Sequence, residues 1–278
     1  MKFGAFIFPT DYSIQPVELA KALEERGHES GWLAEHTHIP KSRETPYPGG
    51  GDLPKQYYDT YDPFVTLTAM AVVTEKLKLG TGISLIIERD PIVLAKVVSS
   101  LDQISNGRVL LGIGGGWNRE EMSNHGTDPT RRWKLLRERI EAMKVIWTEN
   151  EPEYHGEFVD FDPIYQWPKP VQKPHPPIIM GNAGEGALRR VVQYCDGWIP
   201  IGGRTNMEER IQELRRLARE AGREEIPVTL FGAQPTAEAI ETAQAMGVDR
   251  CVIPLPAAPA EEVLPLLDKQ AELIQKFS

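Results

Sequence analysis

The chain has 278 residues and a formal charge of −9, a length natural to a (β/α)8 barrel of about 250 residues. It carries no dense basic stripe of the kind a nucleic-acid partner demands. No apolar run approaches the ~20 residues that span a bilayer, and the apolar start stops at Pro9, too soon for a signal core. Cys195 and Cys251 lie far apart, suggest no disulfide framework and fit a cytoplasmic setting.

In chain order, residues 3–8 predict a strand. A helix opens at Pro16, turns Leu19, Ala20 and Leu23 inward and closes at Gly27. Residues 30–34 read as a second strand, followed by an irregular stretch to Tyr61. A helix over 63–75 and a third strand over 77–83 come next. Asp90 and Pro91 supply an N-cap and a first-turn proline, with Leu94, Val97, Val98 and Leu101 at helical spacing. Asn106-Gly107 ends that helix, and 109–113 is a buried strand. A helix over 130–147 leads into a proline-rich irregular segment that lasts to Pro177. Strands at 177–180, 197–200, 228–231 and 250–254 then alternate with helices at 185–195, 206–221, 236–246 and 259–277.

Eight strands, each followed by a helix, predict a parallel sheet closed into a (β/α)8 TIM barrel, with residues 1–278 forming one domain. Two connections are unusually long, 35–62 and 148–176, and such segments are commonly lids or binding loops. The first leaves the C-terminal ends of the strands, where barrels keep their active sites. The second leaves the opposite face, unless it is an insertion that wraps upward.

Residues just past the strand ends line that mouth. Glu35-His36-Thr37-His38 follows the second strand, and a carboxylate beside imidazoles suits proton transfer near neutral pH. Alternatively, these side chains hold the long loop in place. The spacing of His36 and His38 also admits a metal, but none of the other histidines directly follows a later strand, so no metal site is expected. Gly112-Ile113-Gly114-Gly115-Gly116-Trp117 follows the fourth strand. Its glycines admit either close approach to a flat or anionic ligand or a tight turn in a crowded barrel. Gly181-Asn182-Ala183-Gly184-Glu185-Gly186 runs straight into a helix, a ready phosphate site. Arg204 and Thr205, after the sixth strand, offer a cation that could share it. No Gly-x-Ser-x-Gly elbow and no Walker A sequence is present.

Taken together, the segments 31–40, 79–83, 89–96, 101–102, 107–117 and 196–200 resemble the luciferase-like monooxygenase superfamily, and within it the branch that uses the deazaflavin coenzyme F420. The resemblance implies a bacterial luciferase-like barrel with insertion segments and a flavin-type ring in its mouth. It implies a non-prolyl cis peptide at Gly82-Ile83 against that ring, and an acid–histidine pair at Glu35 and His36. Trp117 to Glu121, Glu120 included, falls where the family contacts the cofactor's side chain or the substrate. Gly181, Asn182, Ala183 and Gly184 match the loop that holds the phosphate end. Glu35 stands where many deazaflavin members have aspartate, and Leu85 departs from the sugar-phosphate dehydrogenase pattern.

The expected activity is hydride transfer between F420 and a small organic substrate, with His36 as proton donor or acceptor and Glu35 tuning it. FMN with dioxygen is the nearest alternative. A metal-dependent hydrolase on His36 and His38, and a cofactor-free binding barrel, are others. Substrate choice is expected from the 40–62 loop, with Tyr47, Tyr57, Tyr58 and Tyr61. A homodimer is a state the resemblance leaves open.

Overall fold

Proline and side-chain caps open several of the helices, and these helices surround a ring of parallel strands. The computed structural model describes residues 1–203 and 206–277. The chain runs β1 (Lys2–Ile7), α1 (Pro16–Glu25), β2 (Ser30–Leu33), α2 (Gln56–Asp59), α3 (Pro63–Ala71) and β3 (Lys78–Thr81). It continues through α4 (Pro91–Ile104), β4 (Val109–Ile113), α5 (Arg119–Asn124), α6 (Arg132–Thr148) and the hairpin β5 (Tyr154–His155) and β6 (Asp160–Phe161). The last third holds β7 (Ile178–Met180), α7 (Ala187–Tyr194), β8 (Gly197–Trp198), α8 (Met207–Glu220), β9 (Thr229–Phe231), α9 (Ala237–Met246), β10 (Arg250–Pro254) and α10 (Ala260–Phe277).

The eight long-range strands pair in the order β8-β7-β4-β3-β2-β1-β10-β9. Parallel bridges between Trp198 and Val228 and between Ile201 and Phe231 join β8 to β9, which closes the ring. The predicted (β/α)8 barrel is therefore the observed architecture. The predicted ends shift for local reasons. The third helix stops at Ala71 rather than running to residue 75, and the Thr74 hydroxyl donates to the Met70 carbonyl at 2.8 Å just past its end. A short helix, α5, fills the loop after β4, with Asn118 capping the Glu121 N–H. The second long connection does wrap upward. Tyr154 donates to Glu141, and the Phe158 and Val159 N–H groups donate to Glu138, so the hairpin climbs the outside of α6. Among the described residues, no helix is long and apolar enough to cross a membrane.

Inside the ring, Trp32 is fully buried and its indole N–H donates to Ser30 Oγ at 2.8 Å. Its ring needs room from both neighbouring strands. A Cβ on Gly80 would lie 2.4 Å from the indole, and one on Gly4 would lie 2.8 Å from its Nε1. Leu110, Ile179, Ile199 and Val252 complete this inner layer, and Phe6, Ile83 and Phe231 pack against it.

Beneath Trp32, Arg250 forms two 2.8 Å bonds with the Glu29 carboxylate and a third, of 3.0 Å, with Thr229. Burial alone would push the Glu29 carboxyl up; Arg250 and Lys78 overcome it and hold it at about 2. A carboxyl lowered on folding stabilises the native state above its unfolded pKa and loses that contribution as pH falls through the folded value. Glu29→Gln is expected to lower stability at pH 7 by about 3 kcal/mol. Thermal melts of both proteins check this: the gap should be full above about pH 4.5 and close toward pH 2.

Candidate active site

Past the end of β3, the Gly82–Ile83 peptide is cis. The Ile83 side chain enters a slot between two other loops. A Cβ on Gly114, after β4, would lie 1.8 Å from Ile83 Cδ1, and one on Gly181, after β7, 2.5 Å from its Cγ2. Neither position can carry a side chain while Ile83 stays where it is. The other glycines of the 112–116 run are crowded too. A Cβ on Gly112 would meet the Thr81 carbonyl at 1.9 Å, one on Gly115 would meet the Trp133 ring at 2.9 Å, and Gly116 adopts φ +64°. Packing within a crowded barrel thus accounts for this run.

Around Ile83 lies a cavity of two adjoining lobes, about 430 and 460 Å3. Gly82, Ile83, Trp117, Gly181 and Asn182 border both lobes, and Ala183 and Gly184 border the first. Segments from three strand ends, those of β3, β4 and β7, therefore meet at one mouth. His36 and Glu35 border the second lobe, together with Tyr47 and Tyr57 from the long loop. Tyr58 and Tyr61 do not: Tyr58 is exposed with its hydroxyl near Arg43, and the Tyr61 N–H bonds the Pro9 carbonyl.

Two of the sequence-based roles need correction. Glu35 does not pair with His36. Its oxygens accept from Ser84 Oγ at 2.7 Å, the Leu85 N–H at 2.6 Å and Arg89 Nε at 2.5 Å, so it fastens the segment that follows Ile83. Arg89 also bonds Asp62, which caps α3 through the N–H groups of Phe64 and Val65. The partner of His36 is Glu121, on α5: Nδ1 lies 2.8 Å from Oε2, and Oε1 accepts from the Thr37 N–H. Glu120, the neighbour expected near the cofactor, instead accepts from the Thr45 N–H and faces an outer groove. A carboxylate 85 residues away in sequence has displaced the adjacent one.

His38 is turned to the outside, where its Nδ1 lies 2.9 Å from Thr37 Oγ1 and its ring lies tilted beside that of His125. Among the described residues, no group of three or more His, Cys, Asp or Glu side chains is arranged to hold a metal. Arg204 and Thr205 lie outside the described residues.

Sequence reading overlooked a cationic cluster beside the phosphate-type loop. Arg190 of α7 lies 4.3 Å above the Trp133 ring and Arg132 lies 5.4 Å from it. Arg132 and Trp133 open α6 and border the second lobe. The signal was present as Arg131-Arg132-Trp133 at the start of a helix that begins at the mouth. Helix α7 begins at Gly186, φ +72°, with no side-chain cap.

The whole-chain likeness follows from this geometry. The family model of the luciferase-like monooxygenases matches residues 1–273. The chain belongs to the luciferase-like monooxygenase family. A relative within reach by sequence is the uncharacterized protein Rv0953c of Mycobacterium tuberculosis, 37% identical over 276 residues, 98% of each chain. Among solved structures, monooxygenase RslO1 from Streptomyces bottropensis superposes with a TM-score of 0.82 at 20% identity, over 100% of both chains. An F420-dependent secondary alcohol dehydrogenase, in complex with an F420-acetone adduct, superposes at 0.79 and 18%, over 100% of this chain and 99% of the other. Solved structures that share this frame thus include both a monooxygenase and an F420-dependent dehydrogenase.

One buried acid behind the site stands apart. Both Glu88 oxygens are enclosed without a hydrogen-bond partner, and His125 Nε2 is 3.7 Å away. Burial, with Glu121 and Glu35 adding repulsion, pushes its carboxyl up to about 9, against the weaker pull of Arg89 and Arg139. The native state therefore keeps a proton that the unfolded chain releases near pH 4.5, and stability falls by about 1.4 kcal/mol per pH unit across that window. Glu88→Gln, neutral at every pH, is expected to melt higher than the parent at pH 8. The advantage should vanish near pH 4. Equal melting temperatures at pH 8 would place a charged carboxylate there.

Proposed function

We propose that the protein is an F420-dependent oxidoreductase that moves a hydride between the deazaflavin and a small organic substrate, with His36 handling the proton. The observation that carries this reading is the buried His36–Glu121 pair on the same cavity as the Gly82–Ile83 wall.

The residues present suit such a cofactor. The apolar face of Ile83 is fixed by Gly114 and Gly181, and a flat ring needs a wall of that kind. For the phosphate, the uncapped start of α7 presents N–H groups, Arg132 and Arg190 stand nearby, and Arg132 Nε is buried without a partner. Bound reduced F420 supplies a hydride from a ring carbon, where flavin carries its reactive nitrogen, and so favours hydride transfer over oxygen activation.

Glu121 engages His36 Nδ1, which fixes the imidazole and leaves Nε2 to meet the substrate. When a substrate carbon takes the hydride, its oxygen gains charge, and His36 Nε2 gives that oxygen a proton. In the reverse direction the same nitrogen takes the proton back. Glu121 offsets the charge of the protonated ring. Glu35 acts at one remove, by tying Ser84, Leu85 and Arg89 into the wall behind Ile83.

The test is binding of purified F420 and FMN, followed by fluorescence, then anaerobic F420 reduction with a panel of primary and secondary alcohols. F420 is expected to bind at least about tenfold tighter than FMN, with turnover indifferent to oxygen. His36→Asn should lower turnover by about 100-fold or more while F420 affinity stays within a factor of about three. Tighter binding of FMN with oxygen-dependent turnover would replace this reading with a flavin monooxygenase.

A further inference from the structure

The second lobe also constrains the substrate, and this step rests on the F420 reading for what occupies the first lobe and takes up Arg132. The walls that face His36 form an aromatic box. Phe8 and Tyr57 lie 4.5 Å apart, Tyr57 and Tyr47 5.2 Å, and Tyr47 and Trp117 5.9 Å. His36 sits within it, 5.3 Å from Tyr57 and 5.8 Å from Trp117. Leu85 and Phe231 add further apolar surface.

Charge around the lobe is already matched. Glu121 is taken up by His36 Nδ1 and the Thr37 N–H, and Glu35 by Ser84, Leu85 and Arg89. The Tyr47 and Tyr57 hydroxyls lie 3.1 Å apart, within hydrogen-bond reach of each other. Arg43 approaches Trp117 at 5.9 Å but borders a separate groove, where it donates to Tyr58. Arg132 also borders the lobe, but it stands near Trp133 with Arg190, and the two form the cationic pair that the cofactor's phosphate would take up. No cation among the described residues is left to meet an anion at the His36 end of the lobe. Among the described residues, a carboxylate or phosphate placed there would lose its water without gaining a cation, a cost far above that of a neutral hydroxyl bonded to His36.

We propose that this lobe takes an uncharged alcohol or carbonyl compound with an aromatic or compact cyclic apolar body, its oxygen against His36 Nε2. The rings supply stacking area for such a body, and the single exposed imidazole nitrogen supplies its one polar contact.

Calorimetric titration with benzyl alcohol, benzoate and glucose 6-phosphate tests this, on the free protein and on samples in which F420 binding has first been measured. Benzyl alcohol is expected to bind at least about tenfold tighter than benzoate, and glucose 6-phosphate not at all. Tyr57→Ala should weaken benzyl alcohol at least tenfold, whereas Tyr57→Phe keeps the ring and should stay within a factor of about three. Benzoate or the sugar phosphate binding as tightly as benzyl alcohol overturns the proposal. So does benzyl alcohol that fails to bind at tens of millimolar. Because F420 binding is read separately in the same samples, loss of the cofactor assignment and loss of the substrate assignment are told apart.

Discussion

The Ile83 side chain occupies space that two distant glycines leave open, and the mouth of the barrel is organised around that fit. Gly114 and Gly181 belong to loops after different strands, and each would collide with Ile83 if it carried a methyl group. The contact therefore locks the ends of β3, β4 and β7 together. It also leaves a fixed apolar wall, with the His36 pair on one side and the α7 loop on the other. The frame below is set by a similar substitution of glycine for bulk, since Gly4 and Gly80 clear the barrel centre for Trp32.

Buried charge at the mouth divides into two groups with different tasks. Glu35, Arg89 and Asp62 join β2, the segment after Ile83 and the start of α3, and so brace the wall. His36 and Glu121 form the other group, which opens onto the cavity and does the proton work in the proposed reaction. Glu88 lies behind both, close enough to feel Glu121 and Glu35, and stays neutral because a further negative charge there would be unpaired.

Much of this was legible in the sequence. Alternating apolar runs and capped helices marked the eight units, because those signals are local in the chain. The Asp90-Pro91 start of α4 is a case in point. Gly82-Ile83 and the loop at 181–184 stood out as short, glycine-marked segments after strands. What lay beyond reach depended on pairing across distance. Glu35 is adjacent to His36 in sequence, yet consecutive residues of an extended segment face opposite ways, and Glu121 arrives from α5, a helix with too little periodicity to be foreseen. Arg190 shares Trp133 with Arg132 only because α6 and α7 start at the same rim. Of the four tyrosines in the long loop, Tyr47 and Tyr57 reach the cavity, a selection made by how the loop folds back and not by residue type.

The proposed chemistry requires one spatial arrangement: a flavin-type ring resting against the Gly82–Ile83 wall with its reactive edge toward His36. A crystal structure of the protein with F420 bound measures this directly. It is expected to show the ring against Ile83, its phosphate near the start of α7 and Arg132, and His36 Nε2 facing the space above the ring. Density for the cofactor outside this cavity, or a ring turned so that His36 meets only the phosphate tail, would contradict it.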